Sequence, residues 1–278
     1  MTGISMTGIR FIGAGNMAHA MISGLVNAGA DPRDIVAADP NAAARDRLSA
    51  LGVTTTSDNA AALADAEVVV IAVKPQVLGG IVAAGAASLP THALVISIAA
   101  GIPIAAIEAA LTRDQAIVRC MPNTPALLRE GMTGMFANPL VTPAQRQSAE
   151  QVATAIGQYA WLESEADIDA VTAVSGSGPA YFFYLMEAMI EAGEALGLTP
   201  ELARELTIAT ARGAAEMANQ DGTSPGVLRH NVTSPGGTTE RALRVFNDHS
   251  VQQHIRAGVQ AAATRSEELA HEFGNPTN

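Results

Sequence analysis

One hexapeptide limits this chain more than any other feature: Gly13-Ala14-Gly15-Asn16-Met17-Ala18, directly after the apolar run Ile9–Ile12. It reads G-x-G-x-x-A. Gly13 permits a tight strand-to-helix turn, and Gly15 lets the backbone approach a pyrophosphate. Ala18 keeps the following helix close to its strand, and the helix N-terminus, with Asn16 and Met17 in its first turn, offers free N–H groups to an anion. The hexapeptide alone is a weak signal. Here a helical pattern follows it through Gly29, and a second strand, Ile35–Ala38, ends in Asp39. That context is a dinucleotide-binding βαβ unit.

Further short, β-branched runs follow at Val68–Val73 and Leu94–Ile98, with shorter ones at Ile117–Val118 and Met132–Phe136. Strands alternating with helices predict a parallel sheet covered on both faces, a Rossmann-type α/β domain. Met121-Pro122-Asn123-Thr124-Pro125 reads as a rigid loop between the last two strands. The character changes near Glu163–Asp167, and beyond it the pattern is helical: Ala170–Gly197, Pro200–Asn219, Glu240–Phe246 and Val251–Phe273. The division is a dinucleotide-binding domain at residues 1–163 and a helical domain at 164–278. Ala170–Gly197 is apolar on more than one face, interrupted only by Ser175-Gly176-Ser177-Gly178-Pro179. Such a helix must be buried on most sides, and a partner subunit covers it most economically.

Composition excludes several classes. The net charge is −11, from 27 acids against 16 Lys and Arg. An acidic chain does not neutralise phosphate backbones, so nucleic acid is not an expected partner. The single cysteine, Cys120, allows no intramolecular disulfide and suits a reducing cytoplasm; it reads as a small buried apolar residue. The six histidines form no ligand-spaced cluster and have no obvious acid partner, so no metal is expected. No apolar run is long enough for a membrane span. Met1–Thr7 lacks the order of a signal peptide, and Met6 offers an alternative start. Lys74 is the only lysine, so any lysine chemistry must use it.

Asp39 stands where an acid bonds the ribose hydroxyls, which repels a 2′-phosphate and favours NAD. Its other reading is an N-cap for the helix after Pro40. Arg45 and Arg47 are near enough in sequence to keep a 2′-phosphate ligand open. Ala72-Val73-Lys74-Pro75 ends a strand at the carboxyl edge of the sheet, where ligands bind in open α/β folds, and Lys74 could approach the cofactor phosphates.

Five further segments occur in order: Ala72–Pro75, Ser97–Gly101, Met121–Pro125, Val174–Tyr181 and Ser234-Pro235-Gly236-Gly237-Thr238-Thr239. With the glycine loop, this set resembles the pyrroline-5-carboxylate reductase family from about Ile9 to Leu269. The resemblance implies reduction of 1-pyrroline-5-carboxylate to L-proline by hydride from NADPH or NADH, the last step of proline biosynthesis. It implies that Asn59, Ala72, Val73, Lys74, Pro75, Ala99 and Asn123 line the cofactor site with Gly13–Met17. It implies that Ser234, Gly236, Gly237, Thr238 and Ser175 bind the substrate, with Thr239 near the ring nitrogen. It also implies a homodimer, with a ring of dimers as a larger form. The family most often uses NADP, and several relatives carry a neutral residue at the place of Asp39.

The chemistry suits those residues. Reducing C=N needs hydride at carbon and a proton on nitrogen. A cyclic imine is basic enough to arrive protonated, so a hydroxyl that orients the ring suffices, and Thr239 supplies one. Gly236 and Gly237 expose backbone N–H groups at a helix start, a natural carboxylate cradle, although the same residues would serve as an interhelical turn. A β-hydroxyacid dehydrogenase shares the two-domain plan but needs a catalytic lysine after its Ser-Gly-x-Gly loop, and Pro179-Ala180-Tyr181-Phe182-Phe183 holds none. A non-catalytic dinucleotide sensor would keep the glycine loop without needing Ser234–Thr239.

Overall fold

The apolar runs form the middle of one eight-stranded sheet in the computed structural model of the protein, which describes residues 7–220 and 222–274. The alternative start at Met6 and the tail beyond Gly274 lie outside the described residues. The strands are β1 (Ile9–Ile12), β2 (Ile35–Ala38), β3 (Thr54–Thr56), β4 (Val68–Ile71), β5 (Leu94–Ser97), β6 (Ile117–Met121), β7 (Gly131–Ala137) and β8 (Gly157–Trp161). Their order is β3-β2-β1-β4-β5-β6-β7-β8. Because β2 and β4 flank β1 on opposite sides, the strand order reverses there, which opens a crevice at the carboxyl edge.

The central strands are buried on both faces, which is why they read as unbroken apolar runs. Alternate residues separate cleanly. Ile9, Phe11, Val68, Val70, Leu94 and Ile96 pack into one core. Ile12, Val69, Ile71, Val95 and Ile117 pack into the other.

The helices covering the sheet are α1 (Asn16–Asn27), α2 (Ala42–Ser49), α3 (Asn59–Leu63), α4 (Pro75–Gly85), α5 (Ile104–Leu111) and α6 (Pro143–Thr154). After β8 the chain is helical: α7 (Asp167–Val171), α8 (Gly178–Ala195), α9 (Pro200–Asn219), α10 (Pro225–Asn231), α11 (Thr238–Asp248) and α12 (Val251–Gly274). Among the described residues no helix is long and apolar enough to cross a membrane.

The sequence pattern and the structure differ in instructive places. β7 runs antiparallel to β6. The loop between them holds only a 3₁₀ turn, Thr124–Leu128, and a left-handed Arg129 (φ 62°), too short a link for a parallel crossover. β3 and β8 are the edge strands, and neither carries an apolar run. The expected long helix from Ala170 is broken by a π-helical turn at Thr172–Gly176, where Ser177 N donates to Thr172 O at 2.8 Å.

By internal packing the chain forms two units. One comprises residues up to Ser177 together with those from Ala262 onward, and the other is Gly178–Ala261. In the first, the end of α12 packs closely: Ser266 Oγ donates to Asp169 at 2.6 Å, and a Cβ on Gly101 would lie 2.9 Å from Leu269.

Candidate functional site

The glycine loop takes its shape from the strands beside it. Gly13 has φ +102°, and a Cβ there would lie 2.6 Å from the Ala72 carbonyl oxygen. Only glycine fits between β1 and the end of β4. Two residues on, a Cβ on Gly15 would meet nothing within 4 Å. Gly15 is the N-cap of α1, and no side chain caps that helix. An open face, unfilled helix amides and no Cβ are what a pyrophosphate needs, so the residues present fit a dinucleotide. Ala18 is fully buried, holding α1 against the sheet.

Asp39 closes the other side of the loop. Its Oδ2 accepts from Ala14 N and its Oδ1 from Asn41 N, both at 2.8 Å. The N-cap of α2 is Asn41, which accepts from Ala43 N and Ala44 N. The N-cap reading of Asp39 is thereby corrected: the carboxylate ties β2 to the glycine loop instead. Around it, Arg45 Nη1 donates to the Asp39 and Pro40 carbonyls at 2.6 and 3.0 Å, and Arg47 Nη1 reaches Asn16 Oδ1 at 3.3 Å.

Ala72, Val73, Lys74 and Pro75 follow β4 at the carboxyl edge. Ala72 N donates to Ile12 O, so this segment is locked to β1 next to Gly13. Lys74 is exposed at the N-cap of α4, and Pro75 occupies the first turn, where its missing N–H is harmless. Asn59 opens α3 and is partly buried; Ala99, just past β5, is buried.

Asn123 and Ser175 are brought together. Asn123 Nδ2 donates to Ser175 O at 3.3 Å and lies 3.2 Å from its Oγ, while Asn123 Oδ1 accepts from Met132 N at 2.9 Å. Pro179 explains this contact. In a regular helix its amide would donate to the Ser175 carbonyl, but proline has none, and the Asn123 side chain satisfies that oxygen.

Ser234–Thr239 lies in the second unit. Gly236 has φ +71°, Gly237 is the N-cap of α11, and Thr239 is partly buried in the first turn. The structure alters one expectation here. Gly236 N donates to the Glu240 carboxylate at 2.8 Å, and Gly237 N to Ser234 O at 3.0 Å. Both glycine amides are thus occupied inside the loop. Arg241 N makes the first bond of the helix, to Gly237 O, so the amides of Thr238 and Thr239 have no intrahelical acceptor.

Sequence reasoning missed Glu240, although its place three residues after the N-cap is a known capping position. It also missed a partly buried pair. Arg119 on β6 meets Glu165 at 2.9 Å, and the same carboxylate oxygen accepts from Ile104 N at 2.8 Å. Arg119 Nε and Nη2 are buried without partners, as is Ser97 Oγ on the neighbouring strand in register with it. The histidine reading is corrected at one place: His92 lies 3.6 Å from Glu67, with both side chains exposed. Cys120 is buried, and burial pushes its thiol pKa up to about 12. Among the described residues no three His, Cys, Asp or Glu side chains gather as a metal site.

Comparison with known proteins adds the following. A family model described as pyrroline-5-carboxylate reductase dimerisation matches residues 165–269. Another, described as NADP oxidoreductase coenzyme F420-dependent, matches residues 8–101. The chain is 49% identical over 267 residues to the pyrroline-5-carboxylate reductase of Pseudomonas aeruginosa, covering 96% of this chain and 98% of that one. Among solved structures, a pyrroline-5-carboxylate reductase from Coxiella burnetii matches with a TM-score of 0.90 at 42% identity, covering 95% of this chain and 98% of its own. The Plasmodium falciparum pyrroline carboxylate reductase with NADP bound matches with a TM-score of 0.86 at 28% identity, covering 96% of this chain and 100% of its own.

Proposed function

We propose a residue-level reading from one premise: the chain belongs to the pyrroline-5-carboxylate reductase family. The protein is an NAD(P)H-dependent oxidoreductase that reduces 1-pyrroline-5-carboxylate to L-proline, the last step of proline biosynthesis. The bound nicotinamide supplies the hydride. Everything else falls to the chain's own residues.

Gly13–Met17 and the α1 N-terminus hold the pyrophosphate. The observation that carries this assignment is the open space at Gly15 beside uncapped helix amides. Lys74, exposed at the same edge of the sheet, adds a positive charge for the phosphates. Asn59, Ala72, Val73, Pro75 and Ala99 line the rest of the cofactor site. Asn123 acts there through Ser175, whose carbonyl it fixes.

The Ser234–Thr239 turn takes the imino acid. With the Gly236 and Gly237 amides already engaged, the carboxylate is received by the Ser234 hydroxyl and by the first-turn amides of Thr238 and Thr239. Gly236 and Gly237 give the turn its shape. The Thr239 hydroxyl hydrogen-bonds the ring nitrogen and fixes the face that receives hydride. The imine arrives protonated, so no general acid of perturbed pKa is needed.

We assign substrate binding and dimerisation to residues 164–278 and the dinucleotide to 1–163. The dimerisation match beginning at residue 165 supports that boundary, although α7 and the π turn pack with the sheet. The chain self-associates, and we take the assembly to be a homodimer that can build a ring of dimers. The reaction belongs in the cytoplasm, and neither nucleic acid nor membrane is a partner.

The test is an initial-rate assay with the imine and each nicotinamide cofactor, on wild type, Thr239→Ala and Thr239→Ser. Alanine should lower kcat about 10- to 1,000-fold, serine should recover part of the loss, and cofactor affinity should stay constant. Full kcat and KM in the alanine variant would remove Thr239 from the mechanism. No oxidation of either cofactor by wild type would remove the activity itself.

A further inference from the structure

We propose that Arg45 and Arg47 recognise the 2′-phosphate of NADPH, and that Asp39 is a clamp on the glycine loop and does not select NADH. This rests on the cofactor reading above.

A carboxylate at the end of β2 selects NADH when its oxygens face the ribose hydroxyls. Asp39 is engaged elsewhere. Each of its oxygens takes a backbone amide at 2.8 Å, one from Ala14 in the glycine loop and one from Asn41 at the start of α2. These charge-assisted bonds fix the group and offset part of its charge. Removing them would loosen the loop that carries Gly15, which matters to either cofactor equally.

Two arginines of α2 lie beside this loop. Among the described residues, neither Arg45 nor Arg47 forms an ion pair. Each is held by a neutral oxygen instead. Arg45 folds back onto the Asp39 and Pro40 carbonyls, and Arg47 crosses from α2 to Asn16, the first residue of α1. Residues two apart on a helix do not share a face. These stems nevertheless bracket one place, because Asn16 follows the same loop whose Ala14 amide binds Asp39. Each guanidinium engages a single nitrogen in these bonds, which leaves the remaining N–H groups for an anion. Neither Asp46 nor Asp58 pairs with these arginines among the described residues. Asp58 caps α3 through Ala60 N and Ala61 N, and Asp46 lies exposed between the arginines on α2. A dinucleotide with its pyrophosphate on α1 brings its adenosine ribose to the end of β2. A dianionic 2′-phosphate there meets two cations with no other acid partner.

The test is calorimetric titration of the full chain with 2′,5′-ADP and with 5′-ADP, which needs no turnover. Wild type should bind 2′,5′-ADP about tenfold or more tightly than 5′-ADP, with the excess shrinking as salt rises. Arg47→Ala, at an exposed position, should remove most of that ratio and leave 5′-ADP binding within about twofold of wild type. Arg45→Lys keeps the charge but loses the fork, and should lower the ratio less. Asp39→Asn should weaken both nucleotides by a similar factor. Equal binding of the two nucleotides to wild type, or a ratio that survives Arg47→Ala, would overturn the arginine assignment. A selective gain for 2′,5′-ADP in Asp39→Asn would overturn the clamp. If neither nucleotide binds, the cofactor reading falls and takes this inference with it.

Discussion

Gly13 and Gly15, two residues apart, answer to different constraints, and substitution separates them. An alanine at position 13 must adopt φ near +102° and push its Cβ against the Ala72 carbonyl. Gly13→Ala should therefore destabilise the fold by about 1–3 kcal/mol, read as a lower thermal midpoint. A side chain at position 15 projects into open space. Gly15→Val should keep the wild-type melting curve and lose affinity for both cofactors, measured by calorimetry. Unchanged cofactor affinity in Gly15→Val would contradict the pyrophosphate assignment. Cys120 gives a second residue-scale expectation. Its thiol pKa is raised to about 12 by burial, so the native protein holds it protonated at neutral and mildly alkaline pH. A thiol reagent at pH 8 should label it only after unfolding, and rapid labelling of the native chain would show that β6 opens.

The π-helical turn before α8 depends on groups far apart in sequence. Pro179 removes the donor that the Ser175 carbonyl would use, and Asn123 replaces it while also accepting from Met132 N. Asn123→Ala should free two backbone groups at once and lower unfolding free energy by about 1–3 kcal/mol, measured in urea. Asn123→Asp, which keeps only the acceptor, should retain the Met132 bond and lose less. An alanine variant as stable as wild type would mean that water satisfies both groups. The sequence exposed this region only as a Ser-Gly-Ser-Gly-Pro interruption, because a bond across about fifty residues leaves no local pattern. The same reason hid Arg119–Glu165 and the Asp39–Ala14 bond. β1, β2, β4 and β5 were legible because burial on both faces makes their runs continuous. β3 and β8 were not, because an edge strand half open to water needs no apolar run, and Thr54-Thr55-Thr56 looks like a loop. At Ser234–Thr239 the turn was visible in its glycines, but the occupation of the Gly236 amide by Glu240 depended on a rotamer that no pattern encodes.

At the scale of the whole molecule, the Gly178–Ala261 unit has the wrong balance for a lone chain. Among the described residues, Ala203 is its only buried apolar side chain. Tyr184 is 77% exposed and Leu196 87%, and Phe182, Phe183 and Leu185 on α8 are exposed beside them. Ordering a residue costs about 1–2 kcal/mol of backbone entropy, and helices that bury so little cannot offset it. The dimerisation segment at 165–269 includes this unit, and a second copy is expected to supply the missing core. Folding of this unit and association are then one process, and stability must depend on protein concentration. Light scattering at micromolar concentration should find no 28.5 kDa species, and dilution should lower the thermal midpoint. Tyr184→Glu with Phe183→Glu puts charges at two exposed apolar positions of α8, where they must be desolvated on association. The double variant should lose its dimer and much of its helical circular dichroism. Its binding of 2′,5′-ADP should persist, because Gly13–Met17, Asp39, Arg45 and Arg47 all belong to the other unit, which has its own two-sided core. A double variant that stays dimeric would move the interface off α8. A compact, active wild-type monomer would mean that the helices are stable with their apolar faces in water, and the burial requirement for this unit would fail.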